Sequence, residues 1–452
     1  MPPAHSDQRT VTPHEAARYP ATTAWARTQD AGDPLQAMRA QFVLPVNAEG
    51  RPLVYLCGHS LGLAPRAAAA TLQQELEDWQ RLGVRGHEHA RRPWINYAEQ
   101  LQQGLAQLAG AQPQEVVAMN ALSVNLHLLL ASFYRPSKQR HAILIEAGAF
   151  PSDRYALAAQ IAWHGFDPGT ALLELAPRAG EDLLRLEDIE RRIEAESGRL
   201  ALVLWPGLQY LTGQAFDLAR VAQAARRAGA VIGFDLAHAI GNVPLALHES
   251  AADFAVWCSY KYLNGGPGAT GGAFVHERHL HRADLPRLSG WWGHDIASRF
   301  DMAPRFHAAP GAAGWAVSNP PIFSSAPLLA SLPLFAQAGM ASLRAKSLLL
   351  TGYLDSLVRE LLSGKIEVIT PADPGQRGCQ LSLRLRGNSS PAAGRSTGDR
   401  GRRILAALEQ RGVLCDWREP DVIRMAPVPL YNSYEDVLHA VEALRDAVIE
   451  HG

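Results

Sequence analysis

Two apolar runs in the middle of the chain each end in a charge. Ala230-Val231-Ile232-Gly233-Phe234 meets Asp235, and Phe254-Ala255-Val256-Trp257 leads through Cys258-Ser259-Tyr260 to Lys261. Short apolar runs bounded by turn signals read as buried strands, so both charges sit where strands stop. A lysine and a carboxylate so placed suit pyridoxal phosphate. The amine forms a Schiff base, and the acid keeps the pyridine nitrogen protonated and the ring an electron sink. His238 lies near enough to Asp235 to buttress ring or acid. Asn264-Gly265-Gly266-Pro267-Gly268 then supplies a turn that lets backbone approach a ligand closely. Singly, Asp235 also reads as a helix cap and Lys261 as a solvated loop lysine. Jointly they point to an enzyme.

Other residues admit two readings. Ser123 opens an apolar helix and reads either as an ordinary cap or as a hydroxyl facing an anion. Phe150, before Pro151-Ser152-Asp153, reads as core or as a ring stacked on a flat cofactor. Trp291 and Trp292 are adjacent, so one of them faces a site or an interface. Arg424, between Ile423 and Met425, requires a carboxylate partner, either a protein acid or a substrate. His87-Glu88-His89 and His276-Glu277-Arg278-His279 lack the HExxH spacing that sets two imidazoles on one helical face, so no metal site is expected.

The elements that must position these residues alternate strand and helix from about residue 115. Strands are expected at 141–145, 200–205, 231–235 and 254–259, with helices at 124–133, 153–163 and 218–228. This pattern predicts a mostly parallel sheet covered on both faces, with ligands outside the carboxyl ends of its strands. A helical region over 326–362 crosses to a smaller α+β C-terminal domain, whose strands are expected at 366–369, 380–385 and 422–425 and whose helices at 402–411 and 434–449. Asp33 with Pro34 is expected to start a helix reaching Phe42. Three parts follow: an arm over 1–60 that joins the small domain, a large domain over 61–320 and a small domain over 321–452. Within the last, 387–401 is rich in Gly, Ser, Pro and Arg and reads as a mobile loop.

Composition narrows the classes. Lys+Arg is 43 against Asp+Glu 44 in 452 residues, so no global field favours nucleic acid or an anionic membrane. No apolar run approaches the ~20 residues of a membrane span. Four scattered cysteines, Cys57, Cys258, Cys379 and Cys415, read as reduced thiols of a cytoplasmic protein.

Ordered motifs run nearly end to end: Gly58-His59-Ser60-Leu61-Gly62-Leu63, Arg92-Pro93-Trp94, Ala149-Phe150-Pro151-Ser152-Asp153, Tyr210-Leu211-Thr212-Gly213-Gln214, Phe234-Asp235-Leu236-Ala237-His238, Tyr260-Lys261-Tyr262-Leu263-Asn264, Ser318-Asn319-Pro320-Pro321 and Arg424-Met425-Ala426-Pro427. With them the chain resembles the kynureninase family, fold-type-I pyridoxal phosphate enzymes of the aspartate aminotransferase superfamily. The resemblance implies hydrolysis of L-kynurenine or 3-hydroxy-L-kynurenine to anthranilate or 3-hydroxyanthranilate and L-alanine, in tryptophan catabolism and NAD precursor supply. It implies a cytoplasmic homodimer acting on a small molecule.

By the same resemblance, Lys261 carries the cofactor, Asp235 pairs with the pyridinium with His238 beside it, and Phe150 stacks on the ring. Leu122, Ser123, Asp153 and Tyr260 line the cofactor and its phosphate, and Tyr260 is the candidate for proton delivery. Trp291 and Asn319 complete the pocket, in this family often from the partner subunit. Arg424 clamps the substrate carboxylate, and His87, Ser318 and Asn319 lie near its aromatic ring, favouring the 3-hydroxy form. His59 departs from the family's usual Asn, and Pro206 stands where some members have a hydroxyl. The rivals are a cysteine desulfurase or class V aminotransferase, a metal-dependent hydrolase, and a silent binding protein of the same fold.

Overall fold

The computed structural model describes residues 19–282, 284–386 and 397–451. The start of the expected arm, up to residue 18, and residues 387–396 of the expected loop lie outside the described residues. Residues 397–401 were expected in that loop but open the helix Thr397–Gln410, whose Ile404 and Leu408 are buried in a core.

Seven strands form the main sheet: β1 (Val116–Ala118), β2 (Ala142–Glu146), β3 (Leu172–Leu175), β4 (Leu200–Pro206), β5 (Val231–Asp235), β6 (Phe254–Trp257) and β7 (Gly272–Val275). Their spatial order is β3-β2-β4-β5-β6-β7-β1. Strands β2 to β6 are mutually parallel, and β7 runs antiparallel to both β6 and β1. Because side chains alternate along a strand, one sheet feeds two cores. Leu144, Val203, Ala255 and Trp257 enter one core, while Ile143, Ile145, Leu202, Leu204 and Val256 enter the other. Each fully buried aliphatic contributes about 1.5–3 kcal/mol. The parallel strands all end on one edge, and this edge carries the charges.

Helices α1 (Leu122–Phe133) and α2 (Pro151–Trp163) pack together over one face. The helical region expected as one piece is two, α3 (Ile322–Ala338) and α4 (Met340–Leu361), bent by 81°. The break is at Gly339, whose φ of +74° an L side chain rarely adopts. Among the described residues no single helix is long and apolar enough to cross a membrane. Asp33 does not start a helix at Pro34. Its carboxylate accepts from Leu35 N and pairs with Lys346 at 2.6 Å, and the turn that follows is 3₁₀, Gln36–Gln41.

The second sheet is antiparallel, with strands β8 (Ile366–Val368), β9 (Leu381–Leu385), β10 (Asp416–Arg418) and β11 (Val422–Met425) in the order β8-β9-β11-β10. Together with α4 and α5 (Tyr434–His451) it encloses a separate core. The helix Thr23–Ala31, which the sequence pattern did not reveal, packs on α5, and Asp30 accepts from the amides of Tyr434 and Glu435. Val54–Tyr55 pairs in parallel with Val413–Leu414.

Candidate active site

Glu146, Pro206 and Asp235 end three adjacent parallel strands, and Cys258 follows the next. All four line one cavity, which Leu122, Ser123, Phe150, Ser152, Asp153, Leu208, Tyr210, Ala237, His238, Tyr260 and Lys261 complete. Eight residues singled out in the sequence therefore converge: Leu122, Ser123, Phe150, Asp153, Asp235, His238, Tyr260 and Lys261.

Lys261 is held by a tight turn. Asn264 takes the left-handed conformation (φ 54°), donating its amide N–H to the Lys261 carbonyl and its side chain to that of Tyr262. The Gly62 amide donates to the Tyr260 carbonyl at 2.8 Å, so the two backbones touch. Lys261 Nζ lies 5.8 Å from the centre of the Phe150 ring and 6.0 Å from that of Tyr260. Tyr210 meets the Phe150 ring edge to face, with centroids 5.4 Å apart.

Three carboxyl groups share this cavity with one lysine. Burial, with Asp235 nearby, pushes Glu146 up to about 8. Burial and the Asp235 carboxylate also hold Asp153 well above the usual range. Burial, reinforced by the Lys261 and Arg424 charges, keeps His238 neutral. The buried atoms Glu146 Oε2, Asp153 Oδ1 and His238 Nδ1 find no hydrogen-bond partner among the described residues.

Glu146 has a consequence for stability. Unfolded, it loses its proton near 4.5; folded, near 8. Between those values the native state binds more protons than the unfolded chain, so stability falls as pH rises. Cofactor-free Glu146→Gln is thus expected to melt a few degrees above the native chain at about pH 8.5, the gap closing by about pH 5. Thermal melts across pH check this, and a gap that ignores pH would contradict it.

Both helices that open on the cavity lack a side-chain cap. Ala121 caps α1 and Phe150 caps α2, and neither offers an oxygen. Pro151 has no N–H, so the first amides left for a ligand are those of Leu122 and Ser123 in α1 and of Ser152 in α2. Ser123, expected as a cap, sits inside the first turn because the extended Ala121 takes the cap position. Its hydroxyl is 2.6 Å from that of Ser152. Two bare helix N-termini with paired hydroxyls suit a phosphate. The strand-end acids and lysine suit the ring, so the residues fit pyridoxal phosphate.

The other expected residues lie elsewhere. His87, Trp291 and Asn319 line a second, more apolar pocket with Val84, Ile95 and Phe300, and Ser318 lines the adjoining one with Asn319. Within one chain none of these four lines the Lys261 cavity. Arg424 is buried in the second sheet and its partner is a protein acid: Nε donates to Asp416 Oδ1 at 2.7 Å and Nη2 to Oδ2. Sequence reasoning assigned no role to Asp416, Glu146, Ser152 or Tyr210. Ser152 and Tyr210 stood in the quoted motifs, whereas Asp416 left no local signal. Glu115, His248 and His276 cluster as metal-ligand types. Glu115 accepts from the amides of Gln112 and Glu277, and His276 Nδ1 from that of Arg278, so these groups hold backbone here.

Comparison with known proteins agrees with the geometry. The aminotransferase class-V family matches residues 54–393 and the kynureninase C-terminal domain residues 343–444. A kynureninase of Myxococcus xanthus is 56% identical over 420 residues, 93% of this chain and 96% of its own length. One of Stenotrophomonas maltophilia is 56% identical over 413 residues, 91% of this chain and 95% of its own. Among solved structures, a cysteine desulfurase of Escherichia coli superposes with a TM-score of 0.72 at 19% identity, covering 92% of this chain and 98% of its own. One from Thermococcus onnurineus NA1 gives 0.70 at 16%, covering 88% and 95%. At such identity these two share the fold alone. A lysine and an acid at neighbouring strand ends, in a chain more than half identical to kynureninases over nine-tenths of its length, leave one conclusion: the chain belongs to the kynureninase family.

Proposed function

We propose that the chain hydrolyses L-kynurenine or 3-hydroxy-L-kynurenine to anthranilate or 3-hydroxyanthranilate and L-alanine, in the cytoplasm, as a step of tryptophan catabolism toward NAD precursors. The observation that carries the reading is Lys261 and Asp235 in one cavity beside two uncapped helices, in a chain of this family. Bound pyridoxal phosphate supplies an electron sink for electrons released from the substrate. Lys261 Nζ would anchor the cofactor, and its amine would move the proton at the substrate α carbon. Asp235 holds the ring nitrogen's proton, and Phe150 and His238 bound the ring. Leu122, Ser123, Ser152 and Asp153 surround the phosphate end. Burial raises the Tyr260 phenol above its ordinary value, so it keeps the proton it delivers to the β carbon.

Arg424 takes the substrate α-carboxylate. His87, Ser318 and Asn319 meet the aromatic ring, and Trp291 and Asn319 close the cofactor pocket, from a second copy of the chain. The exposed apolar surface around them supports a homodimer: Val84 is 79% exposed, Phe300 57% and Trp291 46%. Mixing Lys261→Ala with Asn319→Ala protein is then expected to restore activity that neither has alone. Failure of mixed preparations to regain turnover would argue against a shared site.

A desulfurase needs an available thiolate. Cys258 lines the cavity but burial raises its thiol, and burial pushes Cys57 and Cys379 up to about 12. The direct test incubates the purified enzyme with each kynurenine and measures alanine and the anthranilate product. Alanine release supports the reading and ranks the substrates. A chain that binds cofactor yet releases no alanine from either overturns it.

A further inference from the structure

Arg424 is aimed by its neighbours. Asp416 and Arg424 are direct partners in the antiparallel pairing of β10 with β11, so the register sets both side chains on one face. Besides its two bonds to Asp416, Arg424 donates from Nη1 to the Tyr210 carbonyl at 2.7 Å. A guanidinium has five N–H groups. Three are spent, and the remaining two lie one on each terminal nitrogen. Tyr210 lines the Lys261 cavity, so this bond ties Arg424 to a residue of the cavity wall.

Asp416 is itself braced. His59 Nε2 lies 3.2 Å from Asp416 Oδ1, without the alignment of a good hydrogen bond, and Arg418 Nη2 lies 3.1 Å from Oδ2. The His59 ring stacks on that of His238, with centroids 6.5 Å apart. Burial pushes Asp416 up, but the nearby His59 and the two bonds from Arg424 outweigh this and hold it ionised. Burial and the Arg424 charge keep His59 neutral, at about 4.

We propose that Asp416, braced by His59, is a positioning residue that grips the side edge of Arg424 and leaves its terminal nitrogens for the substrate carboxylate. The geometry follows from the sheet register and the hydrogen-bond count. The His59 imidazole lies between Asp416 and the His238 ring and packs one against the other. The proposal rests on the reading of Arg424 as the carboxylate clamp.

The test measures kcat and KM separately for Arg424→Lys, Asp416→Asn, His59→Asn and His59→Phe, with melting temperatures as control. Arg424→Lys tests the clamp alone, and an unchanged KM there would refute that reading. With the clamp upheld, Asp416→Asn is expected to raise KM about tenfold or more while kcat stays within about twofold, since a charge-assisted grip is lost from binding. His59→Phe is expected to raise KM several-fold and His59→Asn to restore most of it, which also decides the matter should Asp416→Asn fail to fold. An Asp416→Asn enzyme with unchanged KM, or equal behaviour of the two His59 variants, overturns the positioning role and leaves the clamp standing.

Discussion

Lys261→Ala is expected to lower kcat/KM roughly ten-thousand-fold or more, because one amine both anchors the cofactor and moves the substrate proton. The fold should survive the change. Lys261 lines the cavity, and its turn is fixed by backbone bonds from Asn264 and Gly62. Circular dichroism and the melting temperature should therefore match the native chain, while the visible absorbance of the purified enzyme disappears. A Lys261→Ala enzyme that still turns over would overturn the assignment of the cavity.

Gly62→Ala is expected to cost nearly as much without touching a reactive group. A Cβ on Gly62 would stand 2.3 Å from the Lys261 carbonyl oxygen, 2.4 Å from Asn264 Oδ1 and 2.8 Å from Asn264 Cα. Backbone cannot yield there as a flexible side chain would, so the Lys261 turn must shift. A displacement of about 1 Å can cost roughly a hundredfold in rate, and kcat should fall on that scale, with a melting temperature lower by several degrees. Gly198→Ala is the control, since nothing lies within 4 Å of its added Cβ. Equal kinetics for the two variants would show that the turn tolerates the shift.

These glycine contacts also mark what the sequence made legible. The apolar runs that end in Asp235 and Lys261 are strands or strand exits, because burial on both faces of a parallel sheet demands uninterrupted apolar residues. Their neighbourhood in space follows from the same rule, since parallel strands finish on one edge. Other features depend on register and turns, which local patterns do not encode. Asp416 meets Arg424 through cross-strand pairing, and neither residue advertises the other. Ser123 falls inside a helix because Ala121 is extended, which leaves bare amides where an anion fits. Gly339 turns one apolar stretch into two helices at 81°, and a single glycine in a helical pattern gave no such angle. His87, Ser318 and Asn319 line pockets other than the Lys261 cavity, a placement that no local pattern encodes.

The Asp30 carboxylate accepts from the Tyr434 amide across 404 residues of chain. A ribosome adding about 5–20 residues per second takes roughly 20–80 s to cover that distance. For most of that interval the helix Thr23–Ala31 and the strand Val54–Tyr55 have been made, but α5 and the strand Val413–Leu414 that they join have not. The strands β1 to β7 emerge within a shorter stretch and can pair while synthesis continues. Production of this enzyme therefore runs through a stage in which its earliest segment waits unmated, exposed to chaperones and proteases, and slower translation lengthens that exposure.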